Sequence, residues 1–165
     1  PMEFSRVTSG FTLARFHPIL KAWRAHRGTD FGAPIGTPVR ATADGSVAFA
    51  GQQTGYGNVV ILRHGATYST LYGHLSRFAQ GLHVGERVQQ GDTIAYVGQT
   101  GWATGPHLHY EFRVAGEPRD PMTVALPNAT PLDAAQRAAF ASATAPLLQQ
   151  MAMVQAADDA RVAQR

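Results

Sequence analysis

The chain has 165 residues, 44% of them hydrophobic, 15% charged and 9% aromatic, with a formal net charge of +3. That hydrophobic share is too high, and that charge too small, for a disordered chain; the length supports one globular domain with a core, plus an appendage. No apolar run approaches the roughly 18 residues needed to cross a bilayer, and the absence of cysteine excludes disulfides, thiolate metal sites and a cysteine nucleophile. The pI of about 9.7 favours anionic partners, and every basic residue except Lys21 is an arginine.

The chain opens Pro1-Met2-Glu3, which reads as a segment cut from a longer precursor whose N-terminal part could carry a leader or a membrane anchor. Composition changes near residue 121. All 17 glycines and all 7 histidines lie before it, whereas residues 122–165 are alanine-rich and lack glycine. The expected organisation is a domain over residues 1–121 and a helical C-terminal extension over residues 122–165.

The first part carries short alternating runs between glycine turns. Residues 39–43 form an expected strand ending at Asp44-Gly45, a strong hairpin-turn signal, and residues 46–50 continue to Gly51. Residues 58–63 are an apolar run ending at His64-Gly65, residues 68–72 alternate, Thr93–Val97 stops at Gly98, and His107–Val114 alternates before Gly116. Short strands at such spacing predict an antiparallel all-β domain. In the extension, Thr130-Pro131 reads as a cap and first-turn proline, and Thr144 with Pro146 repeats the signal. Leu147, Met151, Val154 and Asp158 then fall at helical spacing. The expectation is a helical pair packing its Leu/Met face on the β domain.

The histidines carry the chemical signal. In His107-Leu108-His109, residues i and i+2 of a strand share a face, so both imidazoles point one way while Leu108 turns to the core. In His26-Arg27-Gly28-Thr29-Asp30, the i,i+4 spacing suits one helix face or one strand face; Gly28, Gly32 and Pro34 argue against helix. An imidazole and a carboxylate on one side are ligands suited to zinc. His74 ends an alternating strand within Tyr72-Gly73-His74-Leu75-Ser76, whereas His17, His64 and His83 lie beside turn residues and read as surface-loop histidines. Glu111 shares the face of His109; it serves either to orient a histidine or as a solvated strand carboxylate.

In this order, His-x-x-x-Asp, Tyr-x-His-Leu-Ser and Thr-Gly-Pro-His-Leu-His-Tyr-Glu resemble the LytM/lysostaphin-type zinc metalloendopeptidases. Further similar runs are Ala33-Pro34-Ile35-Gly36-Thr37-Pro38-Val39, Asp44-Gly45-Ser46-Val47, Gly55-Tyr56-Gly57-Asn58, Val84-Gly85 and Gly91-Asp92. Gly73 before His74, Ala95 where a glycine is usual, and Trp102 in the substrate-side loop depart from the pattern. The resemblance implies an antiparallel β-sandwich with a groove, of the duplicated-hybrid-motif type. It implies one zinc ion on His26, Asp30 and His109, and a catalytic pair in His74 and His107, with the general base left open between them. Tyr72, Trp102 and Thr104 are the implied substrate contacts. No His-Glu-x-x-His is present, so no glutamate is placed as general base in the usual way, and an imidazole of near-neutral pKa can take the water proton instead.

Family substrates are peptide crosslinks of bacterial peptidoglycan. Ser9-Gly10-Phe11, Arg15-Phe16-His17-Pro18 and the tail after Asp120-Pro121 resemble the Gram-negative envelope branch. That implies a periplasmic D,D-endopeptidase cutting D-alanyl–diaminopimelate crosslinks, open to a regulatory protein partner. Relatives that keep the fold but lose ligands act as non-catalytic modules that activate cell-wall amidases; here all five site positions are filled. Residues 84–92 resemble the hairpin of biotinyl and lipoyl carriers, but Lys21 lies outside any expected hairpin. The arginines are scattered and no stacking motif appears, which disfavours nucleic acid.

Overall fold

Runs rich in β-branched and aromatic residues, cut by glycine, leave little choice but short strands. The computed structural model describes residues 1–3, 6–17, 21–124 and 133–163. Among them are β1 (Arg6–Ser9), β2 (Thr12–His17), β3 (Ala22–His26), β4 (Thr29–Gly32), β5 (Pro38–Arg40), β6 (Gly45–Gln53), β7 (Gly57–His64), β8 (Tyr68–Phe78), β9 (Arg87–Val88), β10 (Thr93–Val97), β11 (His107–Val114), β12 (Glu117–Arg119) and one helix, α1 (Ala134–Ala163). The chain divides into two compact units, Pro1–Val124 and Ala125–Arg165.

In the first unit β2 and β3 form a separate two-stranded sheet, and the main sheet runs β1-β4-β11-β8-β7-β6-β9. Every pairing is antiparallel. β8 is long enough to serve two neighbourhoods. Its first half lies between β11 and β7, and its second half pairs with β10, which also pairs with β5. Val39, Val47, Val60, Leu62, Tyr72, Leu75, Ile94, Val97, Leu108 and Tyr110 gather in the core that this arrangement encloses. Because side chains alternate, the opposite face of β11 presents His109 and Glu111.

Two expected details differ. The strands flanking Asp44-Gly45 do not pair: β5 pairs with β10, and β6 pairs with β7 and β9. Gly45 permits close approach rather than a turn, since a Cβ there would meet the Arg63 carbonyl and lie 2.8 Å from the His64 ring. Asp44 is tied down by Gln90 N donating to its Oδ1 (2.7 Å) and by His64 Nδ1 donating to its carbonyl (2.8 Å). His64 therefore ends a strand and holds a loop; it does not sit free on the surface.

In the second unit, Pro146 lies inside α1, so the described residues form one helix from Ala134 to Ala163 where a pair was expected. Alanine's high propensity carries the helix across the proline, which lacks an N–H donor. The expected cap at Thr130-Pro131 falls outside the described residues. The observed start is a reciprocal box: Gln136 N donates to Asp133 Oδ1 (2.7 Å) and Asp133 N to Gln136 Oε1 (3.0 Å). Leu147, Met151 and Val154 are exposed along α1.

Candidate metal centre

Register brings the acidic and imidazole groups together. β4 and β11 are hydrogen-bonded neighbours in which Asp30 stands directly opposite His109. His26 ends β3 in the other sheet, so His26 and Asp30 do not share a single strand or helix face; the chain turns a corner at Arg27-Gly28 between them. The corner needs glycine. A Cβ on residue 28 would touch the Tyr110 carbonyl and stand 2.8 Å from His109 Cε1 and 2.9 Å from His109 Nε2. We expect Gly28→Ala to displace the His109 ring and to lower zinc affinity at least ~10-fold while the fold persists, as measured by zinc titration alongside circular dichroism.

The ligating atoms of His26, Asp30 and His109 all lie within 4.8 Å of one another, and all three residues are buried. His26 Nε2 is 3.0 Å from Asp30 Oδ1 and 3.2 Å from His109 Nδ1, which is itself 2.8 Å from Asp30 Oδ1. The outward nitrogens are committed elsewhere. His26 Nδ1–H donates to the Gly10 carbonyl (2.7 Å), and His109 Nε2–H donates to Glu111 Oε1 (3.0 Å). In their neutral forms both rings therefore turn a lone pair toward Asp30, so three acceptors converge with no hydrogen between them. Such a set fits a divalent cation, and two imidazoles with one carboxylate match zinc and leave a tetrahedral position open.

The electrostatics agree. Burial pushes the Asp30 carboxyl up, but the adjoining His109 and His26 imidazoles outweigh it and hold the group well below the usual carboxylate range. Burial pulls His109 down, yet the Asp30 and Glu111 carboxylates on either side outweigh that and raise it, so positive charge is favoured at this point. Glu111 is fully buried; burial raises its pKa, and bonds from His109 and Tyr56, with the nearby Arg113, bring it down overall. Tyr56 Oη donates to Glu111 Oε1 (2.6 Å), while Arg113 Nε donates to Oε2 (2.8 Å). Glu111 is thus an orienting carboxylate and not a solvated one.

His74 and His107 lie beside this cluster, with ring centroids 4.6 Å apart. His74 Nδ1–H donates to the Thr100 carbonyl (2.7 Å) and His107 Nδ1–H to the Gly105 carbonyl (2.8 Å), which leaves Nε2 of each as an acceptor. His107 Nε2 is 3.7 Å from Asp30 Oδ1. Burial, then the charge of His107, lower the pKa of His74 to about 4. His74 reaches the cleft through a bulge: Asn58 pairs with Leu75 and Val60 with Tyr72, so Gly73 and His74 together oppose Val59. Its φ of +59° is left-handed, a conformation that histidine and asparagine adopt more readily than most residues.

That bulge removes Tyr72 from the site. Tyr72 stands opposite Tyr110 on the core face and is fully buried, with its hydroxyl bonded to Thr42 and Thr70. It cannot contact a substrate. Trp102 and Thr104 do line the cleft, an open space of about 620 Å³ that also receives His26, Asp30, His74, His107, His109, Tyr56 and Arg27. Tyr56 takes the place expected of Tyr72 as the tyrosine at the site. Its signal was a tyrosine held between Gly55 and Gly57, which nothing local linked to Glu111.

Comparison with known proteins bears on this arrangement. Residues 24–121 match the model of Peptidase family M23. The DD-carboxypeptidase/endopeptidase Mpg of Neisseria meningitidis is 51% identical over 142 residues, covering 86% of this chain and 32% of that protein. The peptidoglycan DD-endopeptidase ShyC of Vibrio cholerae is 47% identical over 140 residues, covering 85% of this chain and 32% of that protein. The crystal structure of a zinc containing peptidase from Vibrio cholerae superposes with a TM-score of 0.71 at 40% identity, covering 77% of this chain and 39% of the other. The chain thus spans about a third (32%) of the length of these curated relatives. Its antiparallel sheet, its convergent His-Asp-His donors and the matched span place the chain in Peptidase family M23.

Proposed function

We propose that this chain is a zinc-dependent endopeptidase that hydrolyses peptide crosslinks of bacterial peptidoglycan, with the D-Ala–meso-diaminopimelate bond as its target. The observation that carries the reading is the convergence of His26, Asp30 and His109 on one point, with two further imidazoles facing the same open cleft. In this reading His26, Asp30 and His109 hold a single zinc ion, and His74 and His107 are the catalytic pair. Residues 1–121 form the catalytic domain and residues 122–165 an extension. The relatives named for peptidoglycan endopeptidase activity support the substrate class and a place in the Gram-negative periplasm.

Zinc, when bound, supplies Lewis acidity toward the scissile carbonyl and lowers the pKa of the attacking water. The rest falls to the protein. Gly10 and Glu111 fix the tautomers of His26 and His109 so that each offers one lone pair. Thr100 and Gly105 do the same for His74 and His107, whose Nε2 atoms face the cleft as bases. Between them the two imidazoles take the proton of the water and return it to the leaving nitrogen as the C–N bond breaks. The open cleft admits a short peptide, and Trp102 and Thr104 contact it from the rim.

Digestion of purified crosslinked peptidoglycan with zinc-loaded protein, followed by mass analysis of the released peptides, tests this reading. The expected products are uncrosslinked stem peptides with a free D-alanyl carboxylate on one fragment and a free diaminopimelate amine on the other. Intact crosslinks with zinc bound would reject it.

A further inference from the structure

Two charged side chains of the cleft are already accounted for. Asp30 belongs to the donor cluster, and Glu111 is held by His109, Tyr56 and Arg113, which neutralises Arg113 in turn. Arg27 is different. It lines the cleft next to His26, it is exposed, and among the described residues no carboxylate pairs with it. It is also the one arginine or lysine among the described residues lining that cleft. Its position is set by the corner that Gly28 makes possible, so the guanidinium is carried by the same turn that delivers a donor to the metal centre.

An arginine is a planar, permanently charged fork suited to gripping a carboxylate with two parallel hydrogen bonds. In a D-Ala–meso-diaminopimelate crosslink, the carbon bonded to the scissile nitrogen carries a free carboxylate. That group is the anion nearest the bond to be cut. We propose that Arg27 is a specificity-determining residue that binds the carboxylate on the amine side of the scissile amide. This inference rests on the substrate proposed above and adds the feature of it that is read. With the carboxylate held, the amide is oriented across the donor cluster; an amidated crosslink, lacking the charge, is held poorly. A D-alanyl-D-alanine terminus presents the same group at the same distance from its amide, so one contact serves both bonds.

The test uses the zinc-loaded chain and two crosslinked stem-peptide dimers that differ only in whether this carboxyl is free or amidated. The wild type is expected to cleave the free form with a kcat/KM at least ~10-fold above the amidated one. Arg27→Gln removes that preference, chiefly by raising KM for the free form, with zinc content unchanged. Arg27→Lys restores part of it, because a point charge replaces the fork. Equal cleavage of both dimers by the wild type, or a preference that survives in Arg27→Gln, overturns the assignment while leaving the proposed hydrolase intact. Failure of the wild type to cut either dimer overturns the proposed hydrolase, and this inference with it.

Discussion

Asp30→Asn is expected to abolish both zinc retention and crosslink cleavage, with turnover falling at least ~10³-fold. The residue is buried and sits opposite His109 in register, with one oxygen within 3.0 Å of a nitrogen on each of two imidazoles. An asparagine fills the same space, so packing survives, but it removes the only negative charge among the three converging groups. Losing orienting carboxylates has smaller effects. Glu111→Gln leaves the three donors in place but weakens the hold on the His109 tautomer, together with the Tyr56 and Arg113 contacts that fix the carboxylate, an expected ~10–100-fold loss of zinc affinity. Dialysis against a chelator, followed by metal analysis and turnover, separates the two variants. A fully active, zinc-replete Asp30→Asn protein would remove Asp30 from the site.

Replacing His74 is expected to separate chemistry from metal binding. Its Nε2 is not among the converging donors, so zinc content stays near wild type, while turnover falls by ~10²–10⁴-fold as a proton-transfer group is lost. The backbone dictates the choice of variant. With φ at +59°, an alanine introduces strain of roughly 1 kcal/mol that would confuse the result, whereas His74→Asn tolerates that conformation. A second readout is stability against pH. His74 has its pKa lowered to about 4 by burial and then by His107, against an ordinary value of 6.5. Between those values the unfolded chain binds a proton that the fold refuses, so this group makes stability fall as pH drops from 6.5 toward 4. The loss is absent above the upper value. Melting temperatures of metal-free protein across that window should slope less steeply in His74→Asn than in the wild type. Identical slopes would mean that His74 is not held neutral.

Runs bounded by glycine were legible. Thr93–Val97, a short run stopped by Gly98, and His107–Val114, an alternating one, are strands in the structure over the same residues. What escaped were features set by partners distant in sequence. The bulge at Gly73-His74 depends on β7, which supplies one residue where β8 supplies two, and without it Tyr72 and His74 count as sharing a face. The corner at Arg27-Gly28 depends on Tyr110 and His109 packing where a Cβ would go. Asp44-Gly45 has the local chemistry of a hairpin turn, yet its strands find other neighbours, so tertiary pairing overrode turn propensity. The Tyr56–Glu111–Arg113 network ties Glu111 and Arg113, which share a face of β11, to a tyrosine 55 residues away, a link that no spacing rule makes. The five histidine and aspartate positions that the family resemblance named line one cleft, and their roles remain proposals that the substitutions above address.

One divalent ion is expected among His26, Asp30 and His109, whose ligating atoms converge. Anomalous scattering at the zinc edge, from crystals of protein loaded with zinc, reads it most directly. One strong peak per chain is expected, bonded to His26 Nε2, an Asp30 carboxylate oxygen and His109 Nδ1. No peak at that point, or a zinc ion held by other side chains while these three bond only to one another, would contradict it.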